Sequence, residues 1–138
     1  MKSIILTSVL LGSLITNNVQ AATERYYQDL WCTKDIGISE HPWPIGDSIK
    51  RIDCLTEDFA IEFDFAYKWY EGVTQALYYS ELTNLRPAIV LIMRRNNKTD
   101  EAKWKAMNNL ILKFHMPINT YKMYNDETSA TLKHRLQE

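Results

Sequence analysis

A chain of 138 residues, 46% of them hydrophobic and 24% charged, is long enough for one core of ordinary size and too short for two. Sixteen basic and seventeen acidic residues leave a formal net charge of -1. That balance excludes the global basic footprint of a tight, non-specific nucleic-acid binder and leaves room for a local basic groove.

The first 21 residues have the form of a signal peptide: Lys2 is a positive n-region, residues 4–15 an almost unbroken apolar run, and Val19-Gln20-Ala21 puts small residues where signal peptidase reads. Cleavage is expected after Ala21, giving a single domain over 22–138, exported to the periplasm or secreted. The apolar run is short of the roughly 20 residues of a membrane-spanning helix, so no membrane span is expected after processing. No cysteine stands at the processing site, which argues against a lipoprotein. Loss of Lys2 would take the net charge from -1 to -2.

Cys32 and Cys54 are even in number, and in an oxidising compartment a disulfide is expected, tying the first helix to the strand that carries Asp53. The alternative is two buried free thiols. A metal site built on the cysteines has no second close-spaced Cys or His pair to support it.

Residues 23–33 place Tyr27, Leu30 and Trp31 at helical spacing behind a capping Thr23. Gly37, Pro42 and Pro44 break residues 34–45 into a loop and an irregular first strand around 41–45. Gly46-Asp47 reads as a hairpin turn, 48–55 as the second strand, Thr56-Glu57-Asp58 as another turn and 59–65 as the third strand. The period of two puts Ile61, Phe63 and Phe65 on one face and Glu62 and Asp64 on the other, about 6 to 7 Å apart. From Lys68 to about Leu82 the period becomes helical: Trp69, Val73, Ala76 and Leu77 form the packing face, while Lys68, Glu71, Gln75 and Tyr79 recur on another. Residues 88–93 are continuously apolar, as in a strand buried on both faces in a partly parallel sheet. A helix over 100–114, with Trp104, Met107, Ile111 and Phe114 on one side, is stopped by Pro117. Residues 118–124 form a last, edge strand, followed by a flexible charged tail from about 125. The fold class is therefore α/β (α+β), a sandwich on a mixed central sheet in the order α-β-β-β-α-β-α-β.

Asp53 at one strand end and Glu62 and Asp64 on the next strand would gather three carboxylates at one edge. Such oxygen ligands suit a hard divalent cation, Mg or Mn, which polarises a phosphate and acidifies bound water. The histidines His41, His115 and His134 have no metal-ligand spacing, and there is no Gly-rich phosphate loop, nucleophile-elbow serine or local Cys-His arrangement. Tyr67, Tyr70 and Tyr78 could stack on bases, and Arg94, Arg95 and Lys98 could contact phosphates.

These residues resemble the PD-(D/E)xK nuclease superfamily, whose pattern is an acid on the second strand of a hairpin, then acid-x-lysine on the next strand, then a helix. Asp53 matches the first acid and Glu62 the second. Gln75 and Tyr79 match the Gln-x-x-x-Tyr helix of the branch with RecB-like and lambda-type exonucleases, and Glu24 matches an extra helical acid of some members. The run from Arg51 to Tyr79 is also similar to a group of small exported bacterial proteins of unassigned activity.

The resemblance implies a restriction-endonuclease-like three-layer sandwich and a Mg- or Mn-dependent nuclease acting on DNA or RNA. Its metal would be held by Asp53, Glu62, Asp64 and Glu24, with Lys68, Gln75 and Tyr79 assisting. The family's lysine position holds Asp64, so Lys68 would have to reach back to the site. The alternative is an inactive nuclease fold serving as an envelope or secreted binding module, with Glu62 and Asp64 on a solvated edge and the Lys68 stripe an ordinary exposed helix face.

Overall fold

The computed structural model describes residues 22–129 and residue 131. The expected signal peptide, His134 and most of the C-terminal tail lie outside the described residues. The elements in chain order are α1 (Glu24–Trp31), β1 (Ile38–Ile45), β2 (Ser48–Leu55), β3 (Phe59–Phe65), a one-turn 3-10 helix (Ala66–Lys68), α2 (Trp69–Thr83), β4 (Arg86–Met93), α3 (Lys98–Lys113) and β5 (Asn119–Tyr124). The architecture is α+β: three helices on a five-stranded mixed sheet of order β1-β2-β3-β4-β5. β1, β2 and β3 form an antiparallel meander, whereas β4 runs parallel to both β3 and β5.

The hydrophobic pattern explains this order. β4, apolar at every position after Arg86, takes the centre of the parallel part and is buried from Pro87 to Met93. β1 takes an edge, where the missing N–H groups of Pro42 and Pro44 can be tolerated. It begins at Ile38, three residues before its expected start. Gly46, at φ 54, makes the turn between Ile45 and Ser48.

Each face of the sheet has its own core. Ile61, Phe63, Ala88, Val90 and Ile92 pack under α1 with Tyr27, while Ile89, Leu91 and Met93 pack with Val73 of α2 and Met107 and Ile111 of α3. α3 is capped by Asn97, whose side chain accepts from Asp100 N at 3.0 Å. Phe114 departs from the expected packing face: the helix ends at Lys113, His115 turns the chain at φ 51, and the Phe114 ring is exposed beneath the Lys113 ammonium. Beyond β5, Asn125 N donates to Met93 O and Asp126 pairs with Arg95, so the first residues of the expected tail are bound to the end of β4. Among the described residues no helix is long and apolar enough to cross a membrane.

Cys32 and Cys54 form a disulfide that closes a loop of 22 residues and fixes the end of α1 against β2. Replacing both by serine should lower the unfolding free energy in urea by about 3 kcal/mol, from the loop entropy returned to the unfolded chain. A loss under about 1 kcal/mol would show that the unfolded chain is not what the bond restrains.

Candidate functional site

The site forms where the ladders around β2 come apart. β2 and β3 pair only at Cys54 with Ile61 and Leu55 with Ala60. On the other side β1 and β2 keep register from Ile38 to Ile45 but skip the pair at Asp53, because Glu40 opposite it sits at φ 52, a left-handed conformation that a non-glycine residue adopts at a cost of about 1–2 kcal/mol. Asp53 is thus free of both ladders, and side chains replace the missing bonds. Phe63 N donates to Asp53 Oδ2 at 2.9 Å, and Gln28 Nε2 donates to the Asp53 carbonyl. Ile52 packs with Tyr79 under α2 while Cys54 packs with Tyr27 under α1, although residues two apart in a regular strand share a face. β2 therefore turns about its own axis at Asp53.

The gap is a cleft of about 460 Å³ lined by Glu24, Arg25, Gln28, Glu40, Asp53 and Phe65. Gln28, 2% exposed, also donates to Ser39 Oγ and Glu40 Oε1, each at 3.1 Å. Glu40 pairs with Arg25 at 3.4 Å. Neither Gln28 nor Glu40 was singled out by motif. Gln28 had one available signal, since it follows Glu24 by one helical turn and so shares its face.

Glu62 and Asp64 share a face of β3, but that face is covered by α2 and is not a solvated edge: they are 4% and 1% exposed. α2 comes close enough to cover them because residue 72 is glycine. A Cβ there would stand 2.7 Å from Ile89 Cδ1, 3.1 Å from Asp64 Cβ and 3.3 Å from Asp64 Oδ2. Lys68, in the 3-10 turn, reaches back over β3: its Nζ lies 3.3 Å from Asp64 Oδ1 and 3.1 Å from Glu24 Oε1. Phe65 N donates to the same Asp64 Oδ1 at 2.9 Å. Tyr79 is buried rather than on an exposed helix face; its hydroxyl donates to Gln75 Oε1 at 3.5 Å and contacts the Glu62 carboxyl. Glu62 Oε2 and Asp64 Oδ2 are buried with no hydrogen-bond partner.

Burial dominates the electrostatics. Desolvation raises the Asp53 carboxyl to about 6, opposed by the Phe63 N–H. Glu62 is driven further up, by desolvation and then by the charges of Asp53 and Asp64. Desolvation, then the Glu24 charge, raises Asp64 to about 7 against the pull of Lys68. Burial works against the Lys68 charge, but its bonds and charges with Glu24 and Asp64 outweigh it and raise the ammonium.

The fold therefore brings Glu24, Asp53, Glu62, Asp64, Lys68, Gln75 and Tyr79 together from α1, β2, β3, the 3-10 turn and α2. It leaves Glu71, Tyr70 and Tyr78 exposed on α2, and it commits Arg94 to Asp100 and Arg95 to Asp126. Comparison of the chain with protein-family models, curated proteins and solved structures finds no match. Among the described residues no three His, Cys, Asp or Glu side chains stand together in a metal-binding arrangement. The donor chemistry at Asp53 and Glu62 nevertheless suits a hard cation: both offer carboxylate oxygens, and Glu62 Oε2 is buried without a hydrogen-bond partner. Asp64 Oδ2 suits one less well, since it lies against Gly72.

The raised carboxyls bind protons more tightly folded than unfolded, so their contribution to stability is complete below the ordinary carboxylate range and is lost as pH rises through about 6 for Asp53 and about 7 for Asp64. Lys68, also raised, contributes fully throughout that window. Unfolding free energy should fall between pH 5 and pH 8, and Asp64→Asn should remove the step near pH 7. Stability that stays flat across this interval would mean that the carboxyls are already ionised in the folded protein.

Proposed function

We propose that the chain is an exported, metal-dependent nuclease of restriction-endonuclease-like, PD-(D/E)xK type that hydrolyses phosphodiester bonds in DNA or RNA. The observation that carries this reading is the position of Lys68. The third-strand lysine of the motif is missing, yet an ammonium reaches the same cluster from the following turn, 3.3 Å from Asp64 Oδ1. Export by the signal peptide over 1–21 is supported by the Cys32–Cys54 disulfide, which suits an oxidising compartment.

In this reading Asp53 and Glu62 hold Mg or Mn, with Glu24 and Asp64 flanking. The ion, when bound, supplies the charge that polarises the phosphate and lowers the pKa of water. Phe63 N fixes one oxygen of Asp53, and Tyr79, whose hydroxyl donates to Gln75, stands beside Glu62. Glu24 and Asp64 hold the Lys68 ammonium at the rim, where it would orient the attacking water and offset charge on the phosphoryl oxygens. The inactive binding-module reading is favoured by one observation: Lys68 is already neutralised by two acids.

The oxidised protein, incubated with single- and double-stranded DNA and with RNA in Mg²⁺ or Mn²⁺, should cleave at least one of them. Glu62→Ala should lower the rate by at least about a hundredfold, and Lys68→Ala should lower it too. No cleavage, together with no metal-dependent rise in melting temperature, would remove the catalytic reading and leave the binding module.

A further inference from the structure

Gln28 is buried on the inner face of α1 and has no part in the nuclease motif. Its side-chain amide carries two N–H groups and stands within hydrogen-bond distance of three acceptors: the Asp53 carbonyl, Glu40 Oε1 at 3.1 Å and Ser39 Oγ at 3.1 Å. Ser39 Oγ in turn donates to Asp29 Oδ1 at 2.9 Å, and Arg25 pairs with both Asp29 and Glu40, so the partners of the amide are themselves braced by α1. Leucine and glutamine favour a helix about equally, so the amide answers a need outside α1. That need lies at Asp53. Its backbone belongs to neither ladder of β2, and its carboxylate stands beside Glu62 with Oδ2 held by Phe63 N at 2.9 Å. Two bonds therefore set where this carboxylate points: Phe63 N takes the side chain, and Gln28 takes the main chain.

We propose that Gln28 is a positioning residue of the cation site: by holding the Asp53 carbonyl toward α1 it keeps the Asp53 carboxylate beside Glu62. The inference rests on the metal-dependent reading above. β2 turns about its own axis at this one residue, with Ile52 packed under α2 and Cys54 under α1. The disulfide fixes Cys54, but at Asp53 itself no strand partner holds the turn, and the Gln28 N–H takes that place. A competing arrangement is at hand, since residue 40 stands opposite and an extended conformation there would complete the β1–β2 ladder. Gln28 holds the two halves of that missing pair apart, bonding the carbonyl of one and the carboxylate of the other. Without the amide the carbonyl loses its partner, and β2 gains by turning back into register with β1. Such a rotation redirects the side chain, because the strand's rotation decides the face to which each residue points. Glutamate could not serve, since a carbonyl and a carboxylate only accept and a carboxylate at 28 has no proton to offer them. Groups that orient a metal ligand without touching the ion change metal affinity about ten- to hundredfold when removed.

The test is a calorimetric titration of the oxidised protein with Mn²⁺, comparing the native chain with Gln28→Met, which keeps the length of the side chain and removes its N–H groups. The Mn²⁺ dissociation constant should rise about tenfold or more. The Mn²⁺ concentration for half-maximal cleavage should rise with it, and the rate should recover as Mn²⁺ is raised. Gln28→Asn, which keeps the amide but is a methylene too short to reach β2, should act in the same way, and it carries the test if Gln28→Met does not fold. Ser80→Ala is the control for stability: it removes the bond from Ser80 Oγ to the Leu85 carbonyl, 2.6 Å, at the far end of α2. It should lower the melting temperature and leave the Mn²⁺ affinity where it was. Unchanged Mn²⁺ affinity in the Gln28 variants, or an equal loss in Ser80→Ala, would overturn the positioning role and leave the metal-dependent reading standing. Absence of Mn²⁺ binding in the native chain would overturn both.

Discussion

Two carboxylates project from β3 beneath a helix, a third stands beside them on β2, and one ammonium reaches the group. An ionised carboxylate moved from water into such a place loses several kcal/mol of solvation, and the interior must return it through a partner or suppress the charge. Both solutions are present. Asp64 keeps an ammonium, Lys68, delivered by a 3-10 turn that shortens the connection between β3 and α2. At Glu62, and less strongly at Asp53, burial raises the carboxyl pKa and so favours the protonated, uncharged form. Gly72 lets α2 close over Asp64, and the parting of the ladders at Asp53 leaves a cleft beside the pair.

That arrangement spends local regularity on a place where regularity would have been easy to keep. A valine at 62 or 64 would fill the α2-covered face at no electrostatic cost, and an ordinary extended Glu40 would complete the β1–β2 ladder. Local rules broken together in one spot are what a functional site predicts and what a purely structural core does not. The breaks also reinforce one another: Glu40 in its left-handed conformation and the freed Asp53 carbonyl are both satisfied by Gln28 from α1, and the disulfide holds the end of that helix to β2.

The sheet-forming segments were legible because each carried a clear period. The unbroken apolar run of β4 announced a central strand, the alternation of β3 put Glu62 and Asp64 on one side, and Gly46-Asp47 announced the hairpin. What covers the Glu62 and Asp64 face was not legible, because alternation says which residues share a face but not whether water or a helix lies above it. Tyr79 was misplaced for the same reason: on a helix with apolar residues nearly all round, a tyrosine beside glutamine reads as polar, whereas its ring fills space under Leu82 and its hydroxyl finds Glu62. Lys68 could be placed near the site only by supposing that it migrated, and the turn that brings it back has no period to read. Glu40 was invisible altogether, since its role depends on one backbone angle. The ends of the described chain show the same limit, with Asn125 bound to β4 by a main-chain bond that no side-chain pattern encodes.

The central claim is that Asp53 and Glu62 are built to hold a divalent cation in place of the proton that burial favours on Glu62. The most direct measurement is a calorimetric titration of the oxidised protein with Mn²⁺ at pH 7, repeated in buffers of different ionisation enthalpy so that released protons are counted. The account predicts saturable binding with about one proton released per ion, both lost in Asp53→Asn and in Glu62→Gln. Absence of binding, or binding without proton release that survives both substitutions, would contradict it and leave the buried carboxyls as a structural feature of the fold.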